Sequence, residues 1–237
     1  MSSRTSLLVL LLCTLGVGTF LSTHLSKSPP IPPSQKKTQK LYLIDKAEIF
    51  ISDISSFETK IRSISQKLQI APEWLMAVIH TESKFDRCAS NNAGSEAIGL
   101  LQWMPRTIGE YGISAKDLEE STHLEQLDYV YQYFNKMKRL AGGYNSLTDL
   151  YLAVLYPKAL KRSKNKSYAL YSYPSREYEL NEGLDLNQDG KVTINDIEKK
   201  LRKRYPEAFI NVDDTQKRAA EESALVSKDL QINSFGS

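Results

Sequence analysis

The sequence predicts a mainly helical domain set between an apolar N-terminal run and a short aspartate- and glycine-rich loop near the C-terminus. Three observations carry that expectation. Apolar residues recur at three- and four-residue spacing through the middle of the chain. No segment alternates with period two for long, so little sheet is expected. Helix punctuation (Pro72, the pair Thr122 and Glu125, and Gly142-Gly143) stands where the periodic stretches begin and end. A chain of 237 residues suits one ordinary globular domain with appendages.

Arg4 precedes an uncharged apolar stretch from Leu7 to Leu21. A basic start followed by an apolar core is the pattern of an export signal, and Gly16-Val17-Gly18 offers small residues for cleavage. The run also lies near the lower length limit of a membrane span, so residues 1–22 read as a signal peptide or a transmembrane anchor. Residues 23–40 read as a linker. Ser28-Pro29-Pro30-Ile31-Pro32-Pro33-Ser34 makes it stiff and extended, and Lys36, Lys37 and Lys40 make it basic. The rest of the chain is expected to be exported, either tethered to a membrane or in the periplasm or cell envelope.

Phe57, Ile61, Ile64 and Leu68 form one face of an amphipathic helix. Pro72 opens the next, Glu73-Trp74-Leu75-Met76-Ala77-Val78-Ile79. A glycine-punctuated loop from Cys88 to Ile98 leads into Gly99-Leu100-Leu101-Gln102-Trp103-Met104-Pro105. Thr122 with Glu125 forms a capping box before a stripe of Leu127, Val130, Tyr131, Phe134 and Met137, and Gly142-Gly143 ends that helix. Ser146 to Leu155 reads as another helix, stopped before Pro157. Residues 41–160 therefore form the expected helical domain. Residues 161–180, basic and tyrosine-rich, read as a connector, and 211–237 as a polar tail.

Charge and cysteine usage narrow the partners. A balance of 31 basic against 28 acidic residues is too mild to argue for nucleic acid. Cys13 lies in the apolar run, which leaves Cys88 without an intrachain disulfide partner. The histidines, His24, His80 and His123, are scattered and form no metal-ligand cluster.

Glu82 is the candidate catalytic residue. It follows Val78 and Ile79 by one helical turn, so it falls on their apolar face, with Trp74, Leu75 and Phe85 near the same side. A carboxylate among apolar groups loses hydration, and its pKa rises. Cleaving a glycosidic bond near neutral pH needs such a protonated acid beside the leaving oxygen.

His80-Thr81-Glu82-Ser83-Lys84-Phe85, followed by Gly99-Leu100-Leu101-Gln102-Trp103-Met104-Pro105-Arg106-Thr107, resembles the lytic transglycosylase family of lysozyme-like fold. In that family a Glu-Ser-x-Phe motif ends a helix and a glutamine-bearing segment lines a glycan cleft. Gln126-Leu127-Asp128-Tyr129-Val130 and Asp149-Leu150-Tyr151-Leu152-Ala153-Val154 look like the versions in phage-associated members. The resemblance covers roughly Gln69 to Pro157. It implies a goose-type or SLT-like helical domain with Glu82 as catalytic acid and base, acting on peptidoglycan in wall remodelling, phage penetration or lysis. Gly99, Leu101 and Gln102 match the cleft segment. Ser90 or Asn91 stands near a supporting serine, in a loop longer than the family's. Where many members carry a tyrosine facing the glutamate, this chain has Ala153-Val154-Leu155-Tyr156-Pro157, which makes Tyr156 the candidate.

Hydrolysis at a sugar centre ordinarily uses two carboxylates, and no second acid accompanies Glu82 in a motif; Asp86, Glu96 and Glu110 read as turn caps or solvent-facing residues. The resemblance implies a route that needs only one. The N-acetyl group stabilises the positive ring, and the muramyl C6 hydroxyl closes a 1,6-anhydro ring with the proximity advantage of a tethered nucleophile. Goose-type lysozymes share the fold and finish with water, so hydrolysis is the other chemistry, and a non-catalytic peptidoglycan-binding protein is the third reading.

Residues 181–210 hold Asp185-Leu186-Asn187-Gln188-Asp189-Gly190-Lys191-Val192-Thr193-Ile194-Asn195-Asp196. This matches an EF-hand calcium loop: Asp185, Asn187 and Asp189 at positions one, three and five, glycine at six, the Lys191 carbonyl at seven and Thr193 at nine. Asp196 stands at twelve, where glutamate is usual, as in dockerin-like loops. Ile197 and Leu201 begin an outgoing helix, and the incoming helix is weakly signalled. A single loop suits a structural calcium ion that pins the C-terminal segment to the domain.

Overall fold

The computed structural model describes residues 40–90 and 96–207. A single helical turn, α1 (Ile44–Ala47), sets Ile44 and Ala47 against the core. Asp53 then accepts a hydrogen bond from the Ser56 N–H and opens α2 (Ile54–Leu68). Its buried residues include Phe57, Ile61, Ile64 and Leu68, the stripe expected from their spacing. Pro72 occupies the first turn of α3 (Pro72–Ser83), where an N–H has no intrahelical partner to lose. Unlike α2, α3 is buried without a break from Trp74 through Ile79, as befits a helix enclosed by neighbours.

After the Cys88–Ile98 loop come two short helices, α4 (Pro105–Gly109) and α5 (Ala115–Glu120). The long α6 (His123–Ala141) starts at a complete capping box: the Thr122 hydroxyl accepts from Glu125 N–H, and the Glu125 carboxylate accepts from Thr122 N–H. Gly142, at φ 86°, closes it in the left-handed conformation. Along α6, Leu127, Val130, Tyr133 and Phe134 are fully enclosed, while Tyr131 and Met137 are half-buried. Ser146 caps α7 (Leu147–Leu155), which stops short of Pro157.

α2 packs on α3 and α6, and α3 packs on α7. The core where they meet contains Phe57, Phe85, Leu75, Met76, Ile79 and Phe134, with the Phe57 and Phe85 rings edge to face at 6.2 Å.

The stretch read from the sequence as a connector has regular structure. A 3-10 helix (Pro157–Arg162) buries Ala159 and Leu160, and strand β1 (Ala169–Ser172) follows. Next come α8 (Arg176–Asn181), β2 (Lys191–Thr193) and α9 (Ile194–Arg204). β1 and β2 are antiparallel, pairing Ala169 with Thr193 and Ser172 with Lys191 across a bulge. Strands of four and three residues are too short to show a period-two signal. The Asp185–Asp196 segment lies between α8, followed by a 3-10 turn (Glu182–Leu184), and α9. α9 packs back onto α7, which joins the loop to the helical domain.

The signal or anchor at 1–22, the linker up to residue 39, Asn91 and the tail at 211–237 lie outside the described residues. Among the described residues no helix is long and apolar enough to cross a membrane.

Candidate active site

Glu82 occupies the last turn of α3. The chain leaves that helix through two consecutive residues at positive φ, Lys84 at 57° and Phe85 at 71°. Left-handed backbone at a side chain as bulky as phenylalanine is strained. It is held by the fully buried Phe85 ring and by contact between the Phe85 carbonyl and His123 Nε2 at 3.0 Å. The sharp exit keeps Glu82 in the last turn of a helix instead of inside a continuing one.

The Glu82 carboxyl is half-buried, and its pKa is raised from 4.5 to about 7. Burial is the cause, and the nearby charges of Lys84 and Arg204 pull in the opposite direction. No hydrogen-bond donor and no second carboxylate contributes to the shift. Neighbouring His80 is pushed down to about 4 by burial and by Lys84, Arg204 and Lys46, so it is neutral where Glu82 titrates. The charge of Glu82 is felt at three tyrosines, Tyr133, Tyr151 and Tyr205, all held above their ordinary pKa, first of all by burial. Tyr133 donates to the Ala153 carbonyl at 2.6 Å. Tyr156, the tyrosine singled out from the sequence, caps the end of α7 and lies edge to face with Tyr171 at 5.5 Å.

The Gly99–Trp103 segment is a tight turn, with Ile98 and Trp103 bridged to each other and Ile98 also paired with Ser90. Buried Gln126 on α6 pins it. The Gln126 Oε1 accepts from Leu100 N–H at 2.9 Å, and Nε2 donates to the carbonyls of Arg87 and Leu118. Gly99 sits at φ 76°, where a Cβ would come within 2.8 Å of that Oε1. Glycine is required there both for its backbone conformation and for the close approach of the amide. Gln102 is left-handed at φ 48°, and its Nε2 donates to the carbonyls of Ala89 and Gly99. Gln102 lines an open cleft with Leu101, Trp103, Met104, Thr107, Tyr133 and Val154. Tyr133 thus borders the cleft and lies within reach of the Glu82 charge. Ser90 is exposed, and Asp86, Glu96 and Glu110 take other roles. Asp86 accepts from Cys88 N–H, Glu96 is exposed, and Glu110 pairs with Lys136 at 2.7 Å.

Four side chains at the site had weaker sequence signals: Tyr133, Tyr151, Gln126 and Tyr205. Gln126, Val130 and Tyr133 do share one face of α6 by spacing, which marks Tyr133 as an inward residue. Tyr205 is distant in sequence and carries no local mark. Its hydroxyl donates to the Ala77 carbonyl at 3.0 Å and lies 2.7 Å from Thr81 Oγ1 and 3.2 Å from His80 Nδ1. The residue just past α9 is thereby fastened to the helix that carries Glu82.

In the Asp185–Asp196 loop, Asp185 is buried and accepts from Gly190 N–H, Asp189 N–H and the Tyr178 hydroxyl. Asp189 accepts from Asn187 Nδ2 and Lys191 N–H. Asp196 and Thr193 form a capping box that starts α9. The donor set is hard oxygen throughout, which suits calcium chemically. In this geometry the carboxylates face the loop's own N–H and O–H groups. No group of three His, Cys, Asp or Glu side chains gathers as a metal site among the described residues.

Residues 59–173 match the family model described as the transglycosylase SLT domain. The match spans just under half of the chain and takes in Glu82, the Gly99–Trp103 turn, Tyr133, Tyr151 and β1. It supports a lytic transglycosylase type of domain and implies peptidoglycan as the substrate. No curated protein matches the chain.

Proposed function

We propose that this chain is an exported lytic transglycosylase that cleaves the β-1,4 bond between N-acetylmuramic acid and N-acetylglucosamine and leaves 1,6-anhydromuramyl ends. The observation that carries this reading is a single carboxyl group, Glu82, held near pKa 7 at a helix end with no second carboxylate acting on it. At neutral pH about half of the groups are protonated, so one residue can give a proton and then take one. Glu82 protonates the glycosidic oxygen as the bond breaks. The substrate's N-acetyl group stabilises the positive ring at C1. The resulting Glu82 carboxylate removes the proton from the muramyl C6 hydroxyl, whose oxygen bonds to C1. The proton given to the leaving sugar is balanced by the one taken from C6, and water is not consumed. The buried surroundings of Glu82 supply the raised pKa, and its charge reaches Tyr133 and Tyr151.

In this reading Gln102, Leu101 and Gly99 shape the glycan cleft, with Ser90 at its edge and Tyr156 as a supporting residue. Residues 1–22 export the protein, as a cleaved signal or as an anchor holding it to a membrane. The 185–196 loop takes a structural calcium ion through Asp185, Asn187, Asp189, the Lys191 carbonyl, Thr193 and Asp196. Bound there, the ion would offset the loop's negative charge and fix α9 against α3. The test is product analysis: purified peptidoglycan digested by the wild-type chain should yield anhydromuramyl ends, and Glu82→Gln should yield none. Reducing muramyl ends would establish a hydrolase, and intact strands bound but uncut a binding protein.

A further inference from the structure

α9 carries five basic residues, of which Lys199 and Lys203 are exposed on its outer face. Arg202 faces away from the domain and is neutralised by Glu198 at 3.1 Å and Glu207 at 2.8 Å. Lys200 and Arg204, one turn apart, border α3 and α7; among the described residues neither has a carboxylate within ion-pair distance, and the Lys200 Nζ donates to the Gly183 carbonyl at 3.2 Å. With Thr81, Tyr151, Ile197 and Leu201 they line a shallow open depression. Ile197 and Leu201 give it an apolar floor, and the two cations stand at its rim. Two of the lining residues, Tyr151 and Arg204, interact with the Glu82 charge, which places the depression near the catalytic carboxyl. A third cation without an acidic partner, Lys84, sits at the end of α3 with its Nζ donating to the His80 carbonyl at 2.8 Å.

Gathering these charges has a cost. Lys84 and Lys200 are each pushed below their ordinary pKa, by burial first and then by Arg204. Lys84 and Arg204 also pull down the Glu82 pKa, against its work as an acid. An arrangement that opposes the chemistry when empty makes sense if a bound anion cancels it.

We propose that Lys200 and Arg204, with Lys84 beside them, form a carboxylate-binding subsite for the acidic arm borne at the 3-position of the muramyl sugar. The inference rests on the transglycosylase reading. It adds to that reading a recognition element on α9, which lies beyond the matched residues 59–173. The apolar floor takes the methyl-bearing part of the arm, and the cations take its carboxylate. The carboxylate can come from the lactyl group itself, on strands stripped of peptide, or from the attached peptide. Binding it removes the downward pull on Glu82, so an anionic strand favours the protonated acid that cleaves it.

The experiment is calorimetric titration of the full-length Glu82→Gln chain and of the same chain carrying Lys200→Gln, Arg204→Gln or both. The probes are peptide-bearing strands, amidase-stripped strands and a neutral β-1,4-linked N-acetylglucosamine hexamer. Each substitution should weaken binding of an anionic strand about fivefold, with the loss shrinking as salt rises, and should leave the neutral hexamer within about twofold. Loss on the stripped strands assigns the lactyl carboxylate, and loss on the peptide-bearing strands alone assigns the peptide. Arg204→Lys should retain most of the affinity. Equal losses on charged and neutral probes, or no loss on any, would overturn the proposal. Because the titration needs no turnover, it is read separately from cleavage by the wild-type chain, whose absence would count against the transglycosylase reading alone.

Discussion

Glu82→Gln changes how stability depends on pH, as well as activity. In the folded chain the Glu82 carboxyl titrates at about 7, against 4.5 for the ordinary group. The native state therefore holds a proton through a range in which the unfolded chain has lost it. A pKa raised by folding gives stability that is complete below 4.5, drains away between 4.5 and 7, and is gone above that range. At ~1.4 kcal/mol per pH unit the gap amounts to about 3 kcal/mol. Water at the open edge of this half-buried group reduces the expected figure to about 2 kcal/mol. Glutamine imitates the protonated acid and does not titrate. Urea midpoints of wild type and Glu82→Gln should thus lie close together at pH 5 and separate towards pH 8, with the variant the more stable by about 2 kcal/mol. Groups common to both chains, including the loop aspartates, cancel in the comparison. Parallel stability profiles from pH 5 to pH 8 would show that Glu82 is not held in a desolvated site, and the acid-base argument would fall with it.

Gly99→Ala should destabilise the chain by about 2 to 4 kcal/mol. The left-handed backbone costs about 1 kcal/mol, and displacing the Gln126 oxygen, 2.8 Å from the new Cβ, loosens its buried hydrogen bond to Leu100. Urea unfolding reads this, and a loss under 1 kcal/mol would show that the turn relaxes freely. Tyr205→Phe should cost about 1 kcal/mol by removing the hydroxyl shared with Ala77 and Thr81. Thermal unfolding that matches wild type would mean that this contact does not secure the C-terminal segment. Calcium at about a hundred times its dissociation constant should stabilise the fold by about 2.7 kcal/mol and raise Tm by several degrees. Asp185→Asn should abolish the increment, and a Tm indifferent to chelator would remove calcium from the account.

The helical domain was legible because its periodicity and punctuation agree. The Phe57-to-Leu68 stripe, Pro72, the Thr122 capping box and Gly142 each mark a helix in the structure at the place their chemistry requires. The position of Glu82 was legible for the same reason: its spacing from Val78 and Ile79 puts it against the apolar face. Tyr131 and Tyr133 show the limit: both flank the stripe of α6, and although the spacing of Gln126, Val130 and Tyr133 points Tyr133 inward, it does not say that Tyr131 stays half-buried. Tyr205, Lys200 and Arg204 mark the greater limit. Tyr205 and Arg204 act on α3, and Lys200 shares a depression with Thr81, across more than a hundred residues of chain, a relation that no local pattern encodes. Strand β1 is four residues long and pairs with three residues inside the Asp185–Asp196 segment, too few for a local pattern to mark either strand.

The measurement that bears most directly on the central claim is cleavage of peptidoglycan in 18O-labelled water, with the muramyl products weighed by mass spectrometry. One carboxyl acting through the tethered C6 hydroxyl predicts anhydromuramyl ends without the label, and no products from Glu82→Gln. Muramyl ends that carry 18O would mean that water attacks C1, which contradicts the one-carboxylate transfer and makes the protein a hydrolase.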